Sequence, residues 1–172
     1  MLSYLNDLIE AVKQLNFHQI EELAEHLRYQ RAMGHRVYVC GNGGSHAVAI
    51  HWGVDLAKIG KVDINTLGTN QALLTAVSND LDYSVALSTE LVLRAQAGKD
   101  TLICLSCSGR STNIRAALTE AQKLLMPTYL ITGYQAPEYY AARTIRVMSK
   151  DYGILEDVFS AINHWLTKEL AQ

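Results

Sequence analysis

Apolar residues recur every three or four positions at the start of the chain: Leu2, Leu5, Ile9, Val12 and Leu15, then Ile20, Leu23 and Leu27 after Asn16. That period marks amphipathic helices, and it predicts two of them before Gly34, which closes the second as a C-terminal cap. The pattern then changes. "RVYVC" (36–40) is short, β-branched and aromatic and runs straight into Gly41, so it reads as a buried strand entering a turn. Residues 46–58 read as helix, "KVDINTL" (61–67) as a second strand, and helices follow over 70–78 and 82–97, ending near Gly98. "TLICLS" (101–106) is another apolar strand that opens directly into a polar loop. Beyond it, "IRAALTEAQKLL" (114–125) predicts a helix, "PTYLIT" (127–132) and "TIRVM" (144–148) strands, and "ILEDVFSAINHWLTKEL" (154–170) a long amphipathic helix.

Strands alternating with helices predict an α/β fold, a parallel sheet with helices on both faces. We expect a single domain over residues 1–172, with 1–33 as an N-terminal helical extension. Ligands of such sheets sit beyond the carboxyl ends of the strands, where two of the predicted loops are rich in glycine and serine.

Composition narrows the function classes. With 15 basic and 17 acidic residues the net charge is −2, which argues against a dedicated nucleic-acid binder. Three cysteines do not make a disulfide framework. Acidic residues interrupt the apolar ones near the N-terminus, so it reads as neither a signal peptide nor a membrane span. The expectation is a soluble cytoplasmic protein without a membrane partner.

The first loop, Gly41-Asn42-Gly43-Gly44-Ser45, joins a strand to a helix. Its glycines let the backbone approach a ligand and the helix behind presents free N–H groups; a plain tight turn would look the same. The second loop offers Ser106, Ser108, Ser111 and Thr112 around Gly109, before another helix. A helix cap needs one hydroxyl, so four point to a neutral anion cradle. Arg110 either adds charge there or faces solvent. His51 and Asp55 share a helix face at i, i+4, and Glu156 and His164 are polar positions in an apolar C-terminal helix. Each alone reads equally as an ordinary helix-face or core residue. Cys40 and Cys104 read as strand packing, and a redox role for the Cys104/Cys107 pair lacks a helix N-terminus to activate a thiol. Tyr134, Tyr139 and Tyr140 read as surface-loop tyrosines.

Taken together, "GNGGS", "SCSGRSTN" and "LEDVFSAINH" resemble the sugar isomerase (SIS) domain, and within it the phosphoheptose isomerases, from about residue 33 to the end. The resemblance implies a flavodoxin-like three-layer sandwich. It also implies an aldose–ketose isomerase that interconverts sedoheptulose 7-phosphate and D-glycero-D-manno-heptose 7-phosphate, in lipopolysaccharide or capsule heptose synthesis. It places Asn42, Gly43, Gly44, Ser45, Ser106, Cys107, Ser108 and Ser111 around the sugar phosphate, and Asp80 of "SNDLDYS" against sugar hydroxyls. Cys107 stands where the family usually has threonine, and Gly153 where a substrate-contacting aspartate is expected, with Asp151 nearby.

The same resemblance implies a site for zinc, or another divalent cation, on His51, Asp55, Glu156 and His164, with Glu156 also facing substrate. Asp55 replaces the family's glutamate and Glu156 its glutamine; the mixed N/O set suits zinc. Asp55 would be the carboxylate base and His164 the complementary acid/base. Aspartate is one methylene shorter, moving the carboxylate by about 1.5 Å, a displacement that costs roughly 100-fold in rate unless the backbone compensates. Eight residues of helix rise about 12 Å, so Glu156 and His164 do not meet at one metal on a straight helix. Either that helix begins irregularly or two subunits share the site, and the family's interface-located active sites imply an oligomer, a homotetramer. The competing reading is a non-catalytic SIS domain of the replication-initiator-associating type, sensing a sugar phosphate or binding a protein; the presence of both Asp55 and His164 favours the enzyme. A further reading, an arabinose 5-phosphate isomerase, would carry appended domains.

Overall fold

The computed structural model describes residues 1–138 and 143–172. The helices are α1 (Leu2–Lys13), α2 (Phe17–Met33), α3 (Gly43–Lys58), α4 (Gln71–Asp80), α5 (Ala86–Arg94), α6 (Thr112–Lys123) and α7 (Tyr152–Leu170). The strands are β1 (Val37–Cys40), β2 (Ile64–Thr66), β3 (Thr101–Ser106), β4 (Thr128–Gly133) and β5 (Arg143–Val147). All five are parallel, in the order β2-β1-β3-β4-β5. This is the expected α/β sandwich, with flavodoxin-like strand order.

Alternation along the strands divides the core. Val37, Val39, Ile103, Leu105, Tyr129 and Ile131 face the layer formed by α1, α2, α3 and α7. Tyr38, Cys40, Leu102, Cys104 and Leu130 face α5 and α6. Strands buried on both faces read as continuous apolar runs, which is why "VYVC" and "TLICLS" are legible without polar alternation. The chain order reverses between β1 and β3, and the helices that follow these two strands, α3 and α6, pack on opposite faces. A crevice opens at this switch point, and it is where the two polar loops meet.

Several boundaries differ from expectation. Helix α3 begins at Gly43, so the last three residues of the glycine loop already belong to its first turn. The stretch expected as one helix over 82–97 is a 3₁₀ turn, Tyr83–Val85, followed by α5, because Asp82 caps the turn by accepting from the Ser84 amide at 2.7 Å. Helix α7 begins at Tyr152, where Asp151 accepts from the Gly153 and Ile154 amides. Gly34 does close α2, at φ +66°. Cys40 and Cys104 are buried neighbours across β1 and β3. Tyr134 is exposed, while Tyr139 and Tyr140 lie outside the described residues. Among the described residues no helix is long and apolar enough to cross a membrane.

At the end of the sheet away from the crevice, His26 of α2 lies 2.7 Å from the Thr101 hydroxyl and its ring packs on Tyr129. Burial, with Arg143 adding repulsion, lowers its pKa from the ordinary 6.5 to about 4. The folded state therefore holds His26 neutral while the unfolded chain takes up a proton as pH falls below about 6.5. Stability should thus be full above that pH and decline between 6.5 and 4, by about 1–2 kcal/mol after allowing for the ring's partial solvent access. Chemical unfolding of wild type and His26→Gln across that range checks this: the pH-dependent loss should shrink in the variant.

Candidate functional site

The crevice is built from two loops that each end in a helix N-terminus. In the first, Gly41 has no room for a side chain: a Cβ there would lie 2.6 Å from the Ser45 carbonyl oxygen. Gly43 takes φ +54°, and a Cβ on Gly44 would collide with the Glu156 carboxylate. In the second loop Gly109 takes φ +62°, with Ala136 packed where its Cβ would be, and its N–H donates to Ser106 Oγ. The Ser108 hydroxyl accepts from the Arg110 amide. Ser111, the N-cap of α6, makes no side-chain capping bond and lines the crevice. The open cavity is about 240 Å³ and is lined by Asn42, Gly43, Gly44, Ser45, Ser106, Cys107, Ser108, Ser111 and Glu156, with Leu105 and Tyr152. The crevice thus brings together all the residues expected around the phosphate.

Glu156 is the unexpected charge in this neutral cradle. It sits one turn into α7 and accepts from the Ser45 hydroxyl at 3.1 Å, with the Cys107 thiol 3.8 Å away. Burial pushes the Cys107 thiol above its ordinary pKa; the Ser45 hydrogen bond opposes this and Glu156 reinforces it. Cys107 is therefore a neutral thiol.

The two loops are tied to each other by Asn42, already singled out in the sequence, and by Asn113 and Tyr83, which were not. Asn42 and Asn113 exchange reciprocal amide hydrogen bonds at 2.9 and 2.8 Å, and the Tyr83 hydroxyl donates to the same Asn42 oxygen at 2.9 Å. Asn113 is buried in the first turn of α6, so this pair locks the start of α3 to the start of α6. The partners are 71 residues apart, and no local pattern reports such a pair.

A second group lies farther along the same helices. Asp55 Oδ2 accepts from the Asn163 side-chain amide at 2.9 Å and lies 3.0 Å from His51 Nε2 and 4.0 Å from His164 Nε2. The His51 and His164 rings meet edge to face with centroids 5.1 Å apart. Ligand atoms of His51, Asp55 and His164 fall within 4.8 Å of one another. Two imidazoles and a carboxylate at this spacing fit a divalent cation with an open position. Glu156 does not join them. Because α7 is a continuous helix from Tyr152 to Leu170, Glu156 stays in the cradle, two turns from His164. Asp80, expected against sugar hydroxyls, is exposed at the end of α4, accepts from the Asn79 amide and lines neither group. Asn163, fully buried and holding Asp55 in place, was another residue the sequence did not flag, although an amide within "AINHW" is itself an anomaly on an apolar face.

Residues 2–133 match the family model described as the SIS domain. The chain belongs to the SIS domain family. It is 32% identical over 152 residues to the phosphoheptose isomerase of Maridesulfovibrio salexigens, spanning 84% of this chain and 74% of that protein. It is 33% identical over 144 residues to that of Mycobacterium tuberculosis, spanning 80% and 73%. A solved structure of a phosphoheptose isomerase from Francisella tularensis superposes with a TM-score of 0.88 over 99% of this chain and 93% of that one, at 24% identity, which establishes the fold of this SIS protein.

If the asparagine pair positions the cradle, Asn113→Ala should cost about 1–3 kcal/mol of stability, since it orphans the Asn42 amide. It should also weaken binding of a sugar phosphate by roughly tenfold. Thermal unfolding and calorimetric titration of the variant measure both effects. Unchanged binding would remove the pair from the site.

Proposed function

We propose that this SIS protein is an aldose–ketose isomerase that interconverts sedoheptulose 7-phosphate and D-glycero-D-manno-heptose 7-phosphate. The observation that carries the reading is the pairing of a phosphate-sized cradle with a carboxylate–imidazole group on the same two helices. Helices α3 and α7 run parallel, since Ser45 meets Glu156, Trp52 meets Phe159 and Asp55 meets Asn163. The cradle and the His51–Asp55–His164 group are therefore separated by two turns, about 12 Å. An extended seven-carbon chain with its terminal phosphate is about 10 Å long, so an anchored heptulose phosphate brings its reacting end close to the second group.

In this reading the phosphate is held by the Ser45, Ser106, Ser108 and Ser111 hydroxyls and the amides opening α3 and α6. The Asp55 carboxylate takes a proton from C1 of the ketose, forming an enediol, and returns it to C2. His164 moves the other proton, from the hydroxyl on C1 to the oxygen on C2, so the balance is an internal hydrogen shift. Asn163, bonded to the same carboxylate oxygen, orients Asp55. A zinc ion held by His51, Asp55 and His164 would polarise the carbonyl and stabilise developing negative charge. Glu156 then meets substrate rather than the metal within its own chain.

His51 and His164 are 46% and 56% exposed, so in a single chain water reaches the imidazoles beside the reacting carbons. The exposed apolar side chains Ile50, Val54 and Trp165 border them on α3 and α7. A homo-oligomer, a tetramer of the family type, would cover this surface and complete the site. The cellular setting that fits is the cytoplasm, with heptose synthesis for lipopolysaccharide or capsule as the role. A sensor domain would need the cradle but has no use for a carboxylate held between two imidazoles.

Purified protein should convert sedoheptulose 7-phosphate to the aldose, with activity falling on chelation and recovering with zinc. Asp55→Ala and His164→Ala should each reduce kcat at least 100-fold while substrate binding stays within a few-fold. Full turnover in either variant, or tight binding without turnover in wild type, would defeat the reading.

A further inference from the structure

The cradle is not the only cavity at the carboxyl ends of the strands. A second cavity of about 280 Å³ opens beside it, above the ends of β4 and β5. Cys107, Ser108 and Tyr152 line both, so the two share a wall. Their charges are opposite. The cradle carries the Glu156 carboxylate, whereas the annex carries Arg110 and Lys150, with Gln135 and Ser149 as further polar groups.

Both cations are available to a ligand. Among the described residues, no carboxylate forms an ion pair with Arg110 or Lys150. The acidic groups nearest in sequence are engaged elsewhere: Asp151 with the amides of Gly153 and Ile154, Glu138 with Arg146. The floor between the cavities is tight backbone, because a Cβ on Gly133 would lie 2.8 Å from the Cys107 carbonyl and 3.0 Å from that of Ser149. Anions on either side of Ser108 would therefore be immediate neighbours.

We propose that Arg110 and Lys150 form a second anion subsite, and that the paired cavities accept a diphosphate group: one phosphoryl on the hydroxyls and amides of the cradle, the adjoining one against the two cations. The ligand class is a pyrophosphate or pyrophosphate ester, as in a nucleoside diphosphate. The substrate's sugar runs from the cradle towards His51, Asp55 and His164, so a second phosphate at its far end would not reach the annex; only a directly linked one does. Because both ligands need the Ser108 wall, a diphosphate would compete with the sugar phosphate. The subsite stands on its own geometry and does not depend on the isomerase chemistry.

Inorganic phosphate and pyrophosphate are the probes, compared by ligand-dependent thermal unfolding in buffer free of divalent cations. Wild type should bind pyrophosphate at least about tenfold tighter than phosphate. In Arg110→Ala/Lys150→Ala that preference should fall to within about twofold, with phosphate binding unchanged. Equal affinity for the two probes in wild type, or a preference that survives in the double variant, overturns the proposal. So does an equal loss of phosphate binding, which would place the cations in the cradle itself. Phosphate binding without a pyrophosphate preference leaves the cradle intact and removes only the annex.

Discussion

The buried indole of Trp52 donates to the Phe159 carbonyl at 3.0 Å, and this bond anchors α3 along α7 in parallel. Close approach at the start of the pair is possible because Gly44 leaves room for Glu156. With the two helices held in this register, Ser45 meets Glu156 near their starts and Asp55 meets Asn163 and His164 farther along. Both polar groups of the site are consequences of one packing contact. A shift of one helix by a turn would separate every pair at once.

In the proposed reading the cradle holds an anion without resident cations. Two helix N-termini converge from opposite faces of the sheet, and serine hydroxyls and backbone amides supply the donors. The Asn42–Asn113 pair holds those two N-termini together, so the positive ends of both helix dipoles reach the same point. Glu156 works against them. Its carboxylate takes up the Ser45 hydroxyl and adds a like charge beside a phosphate, a repulsion that the paired helix ends and the sugar's hydroxyl donors must offset.

Much of this was legible in the sequence, for reasons that differ by element. Strands buried on both faces declare themselves as short apolar runs, and the loops that follow β1 and β3 carry the glycines and serines of the crevice. The start of α3 was harder to see, because Gly43-Gly44-Ser45 has poor intrinsic helix propensity and is held helical by its setting. Helix rise predicted that Glu156 and His164 stand apart on a straight helix, and α7 is unbroken. What the sequence could not show was pairing across long separations: Asn42 with Asn113, and Asp55 with Asn163. Amides in those positions look like any solvated or capping residue until the helices that carry them are packed.

The central claim is that Asp55, held between Asn163, His51 and His164, removes a carbon-bound proton from a sugar phosphate anchored in the neighbouring cradle. The most direct measurement is hydrogen exchange: the protein incubated with sedoheptulose 7-phosphate in D₂O, followed by proton NMR of C1. The account predicts stereospecific loss of one C1 proton signal in wild type and none in Asp55→Asn, with the sugar phosphate still bound. No exchange in wild type despite binding, or unchanged exchange in the variant, would contradict it.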